Sequence, residues 1–510
     1  MTTKPQAVIE IGSTGIRLLV AEITDKNKRY ILDRSELPVA LGRDVFTTGT
    51  ISRETLLQCL HVMNRFGEQL DGWGITREET TVIATRAVRE ANNRDPFVDR
   101  IKVATGFNVH VIDGIEENRL MYIAVTDCLQ EGSVSVQQSN SIILEITGGT
   151  TEVMLMECGR MAGAHSMRLG TVIIEQQMRA LMGNIDDGRR FIEEFIRNTR
   201  GTLKNEINLE KIQHFIAVGN DMKVASLFAG KPVSSFLWEM NRNDFDRFVD
   251  EVQHYTIEEC VARFKLSYSD SQTFQISLLA YKLFINLTNV HTIIVPETSI
   301  REGLLISTMM EPNKKLQLEF NAQITASAQN LLKKYQGDEA HAEYVRGASI
   351  AIYDALRHEL GLDGHARVLL EVSAILHDIG MFIRAQDHNK HSRYIITHSE
   401  VFGLSHDDVT MVAQIANYHK GSAQPQEDPE IWLLPRRNRL TILKLSAILR
   451  VADALDRGHQ QNLTDFTIHL AKDTITFRVK GHRNLNLEKL AMAEKGELFE
   501  NVFGYKIVLV

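Results

Sequence analysis

The 510-residue chain is poor in cysteine: Cys59, Cys128, Cys158 and Cys260 lie far apart and form no Cys-x-x-Cys pair. That spacing speaks against a disulfide framework and against a thiolate zinc site. A basic excess is missing as well. Lys and Arg number 57 against 65 Asp and Glu, a net charge of −8, which does not fit a protein whose whole surface grips nucleic acid. A local basic channel for a small polyanion stays open, because field focusing in a cleft depends on nearby charges and not on the total. No uninterrupted apolar run is long enough to span a bilayer, and the start, MTTKPQAVIEIG, enters a strand at once without a signal core. The expectation is a soluble, cytoplasmic protein with no nucleic-acid or membrane partner. A hydrophobic content of 44% over this length can fill several cores, which predicts three or four domains.

What is present is a repeated pattern. VIEIGSTGIRLLV, residues 8–20, reads as a strand, an acidic residue (Glu10), a turn through Gly12-Ser13-Thr14-Gly15, and a second strand. IILEITGGTTEVMLMEC, residues 142–158, repeats it, with Glu145 in place of Glu10 and Gly148-Gly149 in the turn. Two copies of one supersecondary unit predict two similar lobes, 1–130 and 131–312, joined at the polar segment Gln130 to Asn140. Strands alternate with helices in both, so each lobe is expected to be α/β. From about residue 313 to 463 the apolar positions recur at helical spacing and histidines become frequent, predicting an all-α domain. Residues 464–510 alternate apolar and polar around Lys472-Asp473, which predicts a β-hairpin in a small α+β unit.

The carboxylates beside the glycine turns need an explanation. Turn amides suit a phosphate, but an anion beside an anion repels. A hard cation between them resolves this, and Mg²⁺ uses one or two carboxylates, water and phosphate oxygens. The predicted site is an interlobe cleft for Mg²⁺ and phosphate. The bland alternative, two ordinary hairpins with solvated glutamates, stands beside it, and the duplication favours the cleft.

Six motifs in order then carry a family resemblance: IEIGSTGIRLLVAEI, ATRAVREANN, IDGIEENRL, LEITGGTTEV, RLGTVIIEQ and SIREGLL. The chain resembles the exopolyphosphatase and guanosine pentaphosphate phosphatase family, within the sugar kinase, heat-shock 70 and actin superfamily. Its later part resembles the long members that append an HD-type domain and a small C-terminal unit. The resemblance implies two actin-like lobes, Glu117 as the catalytic base that activates water, and Arg89 as a clamp on phosphate oxygens, with Arg86 its competitor. It implies that Gly12, Ser13, Thr14, Gly148, Gly149 and Thr150 cradle phosphates, and that Glu152 helps Glu10 and Glu145 hold metal or water. Aspartate would be usual at positions 10 and 145, and a glycine at Thr147.

His341, His377-Asp378 and Asp453 reproduce the His…His-Asp…Asp order of HD phosphohydrolases, in which imidazole and carboxylate share a divalent metal. His391, His398 and His419 lie between them. Lys390, Arg393, Lys420, Arg436, Arg437 and Arg439 could extend a basic groove or be solvated surface residues. The expected activity is release of terminal orthophosphate from inorganic polyphosphate with Mg²⁺, by a homodimer. Hydrolysis of guanosine pentaphosphate is the alternative. A catalytically weak phosphate or alarmone sensor, and a nucleotide phosphohydrolase acting at the HD site, are further alternatives.

Overall fold

The computed structural model describes residues 5–23, 29–132, 134, 136, 138–180, 185–310, 314–420, 425, 428–461, 466–479 and 485–510. It divides into two compact units, Met1–Leu318 and Glu319–Val510. The join expected at Gln130 to Asn140 lies partly outside the described residues.

The first unit contains two sheets of related topology. The N-terminal sheet has β1 (Gln6–Ile11), β2 (Gly15–Ile23), β3 (Arg29–Pro38), β4 (Thr81–Ala84) and β5 (Val109–Val111), in the order β3-β2-β1-β4-β5. The hairpin pairs β1–β2 and β2–β3 are antiparallel, whereas β4 and β5 join in parallel through helical crossovers. The second sheet has β6 (Ser141–Ile146), β7 (Thr151–Glu157), β8 (Arg160–Met167), β9 (His214–Val218), β10 (Gly230–Ser234), β11 (Leu237–Asn241) and β12 (Thr292–Pro296). Its run β8-β7-β6-β9-β12 repeats the order and the strand directions of the first, and β11 and β10 extend the far edge. The two-lobed α/β expectation therefore holds in the sheets themselves. Each sheet packs its apolar face on its own helices, one core running from Ala7 to Val109 and the other from Ile142 to Val295.

The helix that follows the last matched strand of each lobe ties the lobes together. Gly114–Glu131 follows β5, and Ile300–Met310 follows β12. They cross at Gly303, where a Cβ would stand 2.0 Å from the Leu120 carbonyl oxygen. Only glycine lets two backbones approach this closely. Leu305, from the later helix, joins Val8, Leu19 and Ala21 in a small core on the reverse face of the first sheet.

The second unit is mainly helical. Helices Glu339–Ala355, Gly364–Leu376, His406–Asn417 and Arg436–Ala454 contribute many of its buried apolar residues. The predicted hairpin is present as β13 (Phe466–Leu470) and β14 (Thr474–Val479), and β15 (Lys506–Leu509) pairs with β14 in parallel. With helices Asn486–Lys495 and Glu497–Phe503, these strands belong to the same compact unit as the helices before them, and the two helices pack on Arg436–Ala454.

Candidate active site

The two glycine turns are built alike. In the first, Gly12 N donates to Gly15 O at 3.0 Å; in the second, Thr147 N donates to Thr150 O at 2.8 Å. Each turn rests on the start of a helix. Gly42 N donates to Ser13 O at 2.7 Å, while Thr171 N and Val172 N donate to Thr147 O at 2.9 Å and Gly148 O at 3.0 Å. Turn carbonyls thus satisfy helix N-terminal amides that would otherwise lack partners. The turns also meet one another, since a Cβ on Gly148 would lie 3.0 Å from Thr14 Cγ2 and 3.3 Å from Ser13 Cβ.

A cavity of about 360 Å³ opens at this meeting point. It is lined by Glu10, Gly12, Ser13, Thr14, Glu117, Glu145 and Gly148 among the predicted residues. Gly149, Thr150, Glu152 and Arg89 are not on its lining, whereas Arg86 is. Thr147 explains part of this. Its hydroxyl accepts Gly149 N at 3.3 Å and Thr150 N at 3.1 Å, so two amides of the second turn are used internally.

The registers of the two hairpins differ in a way that bears on charge. Across β1 and β2, Glu10 pairs with Arg17; across β6 and β7, Glu145 pairs with Glu152. Arg17 Nη1 approaches Glu10 Oε1 at 3.3 Å, and Arg301 Nε approaches Oε2 at 3.3 Å, so two guanidiniums balance the first carboxylate. The second has no such cross-strand partner. Burial, with Glu10, Glu152 and Glu117 nearby, pushes Glu145 up to about 8. Burial and Glu117 likewise push Glu152 up to about 8. Glu152 Oε1 accepts a hydrogen bond from Ser166 Oγ at 2.7 Å, but its buried Oε2 has no hydrogen-bond partner. Two ionised carboxylates directly opposite on a sheet would repel. Burial first and neighbouring carboxylates second push both toward the protonated form, and an oxygen-rich pair of this kind fits a hard cation such as Mg²⁺.

Glu117 sits in the first turn of helix Gly114–Glu131, capped by the Asp113 side chain, which accepts from Glu116 N at 2.8 Å. Such a cap contributes about 1 kcal/mol and fixes where the helix begins. Glu116 pairs with Arg119 at 2.6 Å. Burial raises the Glu117 carboxyl above the usual glutamate range, against the opposing pull of Arg89. Arg89 Nη1 lies 2.5 Å from Glu117 Oε1 and 2.6 Å from the Ile112 carbonyl. It therefore holds the carboxylate. Arg86 reaches across the lobes to the Gly149 carbonyl at 2.6 Å. The residue equivalent in place to Glu117 is Glu302, near the start of helix Ile300–Met310, and it is committed to Arg34 at 2.8 Å and to Ser299.

In the second unit the predicted His-Asp residues converge. His341 Nε2 is 3.3 Å from His377 Nε2, 3.5 Å from Asp453 Oδ1 and 3.9 Å from Asp378 Oδ2. His419 also approaches Asp378, at 3.3 Å, whereas His398 is exposed and bonds the Tyr394 carbonyl. Arg393 pairs with Glu430 and Asp428, Arg437 with Asp363, and Arg439 stacks over Trp432. These three arginines are engaged by surface partners. Among the described residues, no helix is long and apolar enough to cross a membrane.

Comparison with known proteins accounts for both units. Residues 19–311 match the Ppx/GppA phosphatase family, and residues 325–496 match Ppx/GppA phosphatase, domain III. A guanosine-5'-triphosphate,3'-diphosphate pyrophosphatase of Photobacterium profundum is 22% identical over 479 residues, covering 92% of this chain and 90% of the relative. One from Pseudoalteromonas atlantica is 20% identical over 460 residues, covering 87% and 86%. Among solved structures, an exopolyphosphatase from Cytophaga hutchinsonii aligns with a TM-score of 0.53 at 20% identity, covering 61% of this chain and 99% of the other. A Ppx/GppA family member from Aquifex aeolicus aligns with a TM-score of 0.50 at 20% identity, covering 61% and 98%. Paired turns, an interlobe cavity and matches across both units lead to one assignment: the chain belongs to the Ppx/GppA phosphatase family, whose enzymes hydrolyse phosphoanhydride bonds.

Proposed function

We propose that the chain is an exopolyphosphatase that removes terminal orthophosphate from inorganic polyphosphate in the interlobe cavity. The observation that carries this reading is the meeting of the two turns at one cavity whose lining includes the Glu117 carboxylate. Ser13, Thr14 and Gly148 present backbone amides that suit the oxygens of the terminal phosphoryl group. Glu117 takes a proton from water as the water oxygen attacks the terminal phosphorus; the bridging P–O bond breaks, and its electrons remain on the shortened chain. Arg89 positions Glu117, and Arg86 holds the second turn against the first lobe. Glu145, Glu152 and Glu10 would hold Mg²⁺, and a bound Mg²⁺ would neutralise charge on the phosphate oxygens. The helical part is read as an HD-type domain from the convergence of His341, His377, Asp378 and Asp453.

A second reading, hydrolysis of guanosine pentaphosphate, is favoured by relatives that bear that activity in name and match over 90% and 86% of their length. Gly219 and Asn220, between β9 and helix Asn220–Ala229, line the same cavity, but the asparagine stands where a second glycine would suit a purine, which weighs against this reading. Phosphate release from polyphosphate and from guanosine pentaphosphate, measured side by side with and without Mg²⁺, separates the two. Faster turnover of polyphosphate supports the first reading, and faster turnover of the nucleotide overturns it.

A further inference from the structure

The His-Asp cluster of the second unit extends beyond the four residues of the sequence pattern. His388 opens helix His388–Thr397, after Asp387 in the left-handed region at φ 54°. Gly380 lets that helix approach the preceding turn, since a Cβ there would stand 2.1 Å from the His388 carbonyl oxygen. His388 Nε2 thereby comes 3.2 Å from Asp378 Oδ1 and 3.0 Å from His419 Nε2.

The tautomers are set by what lies on the other side of each ring. His377 Nδ1 faces the Ala374 carbonyl at 2.8 Å, His388 Nδ1 the Ala385 carbonyl at 2.9 Å, and His419 Nδ1 the Ala416 carbonyl at 2.6 Å. His341 Nδ1 faces Asp456 Oδ2 at 2.8 Å. A carbonyl or carboxylate oxygen accepts, so each ring in its neutral form carries its proton on Nδ1 and turns the Nε2 lone pair inward. Those lone pairs meet as two close pairs, 3.3 Å apart for His341 and His377 and 3.0 Å apart for His388 and His419. Asp378 stands between the pairs. Its Oδ1 is 3.7 Å from His377 Nε2 and 3.3 Å from His419 Nε2. Facing lone pairs repel unless a proton or a metal ion lies between them, and a site with two such pairs around one carboxylate suits metal ions.

From this arrangement we propose that the second unit holds two divalent transition-metal ions bridged by Asp378: one ligated by His341, His377 and Asp453, the other by His388 and His419. The proposal extends the single-ion pattern of the sequence and does not depend on the chemistry of the interlobe cavity. Four imidazole nitrogens select ions of the manganese-to-zinc series over Mg²⁺ and Ca²⁺. Outer partners of the kind that orient metal ligands are in place: Asp456 behind His341, backbone carbonyls behind the other three rings, and the Lys495 ammonium on the Oδ2 of Asp453. That leaves Asp453 Oδ1 turned toward His341 and His377.

The test uses the full chain, stripped with a chelator and titrated with Co²⁺, whose visible bands report nitrogen ligation. With excess Mg²⁺ present to fill the carboxylate cavity, two equivalents of nitrogen-ligated Co²⁺ per chain are expected, with one lost in His388→Gln and in His419→Gln. The metal-free melting temperature of His388→Gln should stay near the parent's, because its side chain is partly exposed. X-ray absorption on the unmodified Co²⁺ protein should show a metal–metal vector and imidazole scattering whatever the variants do. No bound Co²⁺, one equivalent, two equivalents insensitive to both substitutions, or no metal–metal vector would overturn the proposal. Mg²⁺-dependent phosphate release by His388→Gln should equal the parent's, which keeps this outcome separate from the fate of the cavity reading.

Discussion

Gly170 offers a direct test of how tightly the second turn must be held. It follows β8 and does not adopt a positive φ, so an alanine there meets no backbone restriction. The obstacle is space: a Cβ would stand 2.3 Å from the Gly148 carbonyl oxygen and 2.3 Å from the Gly149 carbonyl carbon, both backbone atoms that cannot rotate away. Reaching a tolerable 3.0 Å requires the turn to retreat by about 0.7 Å, and misplacements near 1 Å can cost about a hundredfold in rate. Gly170→Ala should therefore lower kcat for phosphate release by roughly 10- to 100-fold and lower stability by about 1–3 kcal/mol, the usual cost of overpacking. Gly201→Ala is the control. Nothing lies within 4 Å of a Cβ at Gly201, inside helix Ile185–Lys204, so that variant should be as stable as the parent or slightly more so. Steady-state phosphate release and urea unfolding read both quantities. A Gly170→Ala protein with parental kcat and parental midpoint would refute the claim that this contact sets the turn.

Two further outcomes follow from the charges at the cavity. Glu145→Gln should raise the Mg²⁺ concentration needed for half-maximal activity more than Glu10→Gln does, because Glu10 is already balanced by Arg17 and Arg301 while Glu145 faces Glu152; equal effects in Mg²⁺ titrations would contradict this. Since burial raises the Glu117 carboxyl above its ordinary range, and a base acts only when deprotonated, activity should fall as pH drops through that raised value; a pH–rate profile whose acid limb lies in or below the ordinary glutamate range would count against Glu117.

The sequence made the paired turns legible because glycine, acidic residue and apolar strand recur in a fixed local order, and local order needs no tertiary information. Their partners were harder to see. Arg17 opposite Glu10 follows from strand register, but Arg301 arrives from nearly 300 residues away on the helix that crosses back at Gly303. The roles of Arg86 and Arg89 could not be separated by spacing, because both lie on one short helical turn and only the fold decides which one faces the cavity. Thr147 was visible as a departure, whereas its capture of two turn amides was not, since that depends on a side-chain rotamer. His388 escaped notice for a related reason: its approach to Asp378 depends on Gly380 and on the left-handed Asp387, features that no periodicity carries.

The central claim, that water is activated by Glu117 in the cavity between the lobes, is tested most directly by Glu117→Gln assayed for single-turnover release of terminal phosphate from polyphosphate, alongside polyphosphate binding. The substitution keeps the shape and hydrogen bonding of the side chain but cannot take a proton at neutral pH. A loss on the order of a hundredfold or more in the rate, with binding within a few-fold of the parent, is the predicted result. An unchanged single-turnover rate would contradict the account.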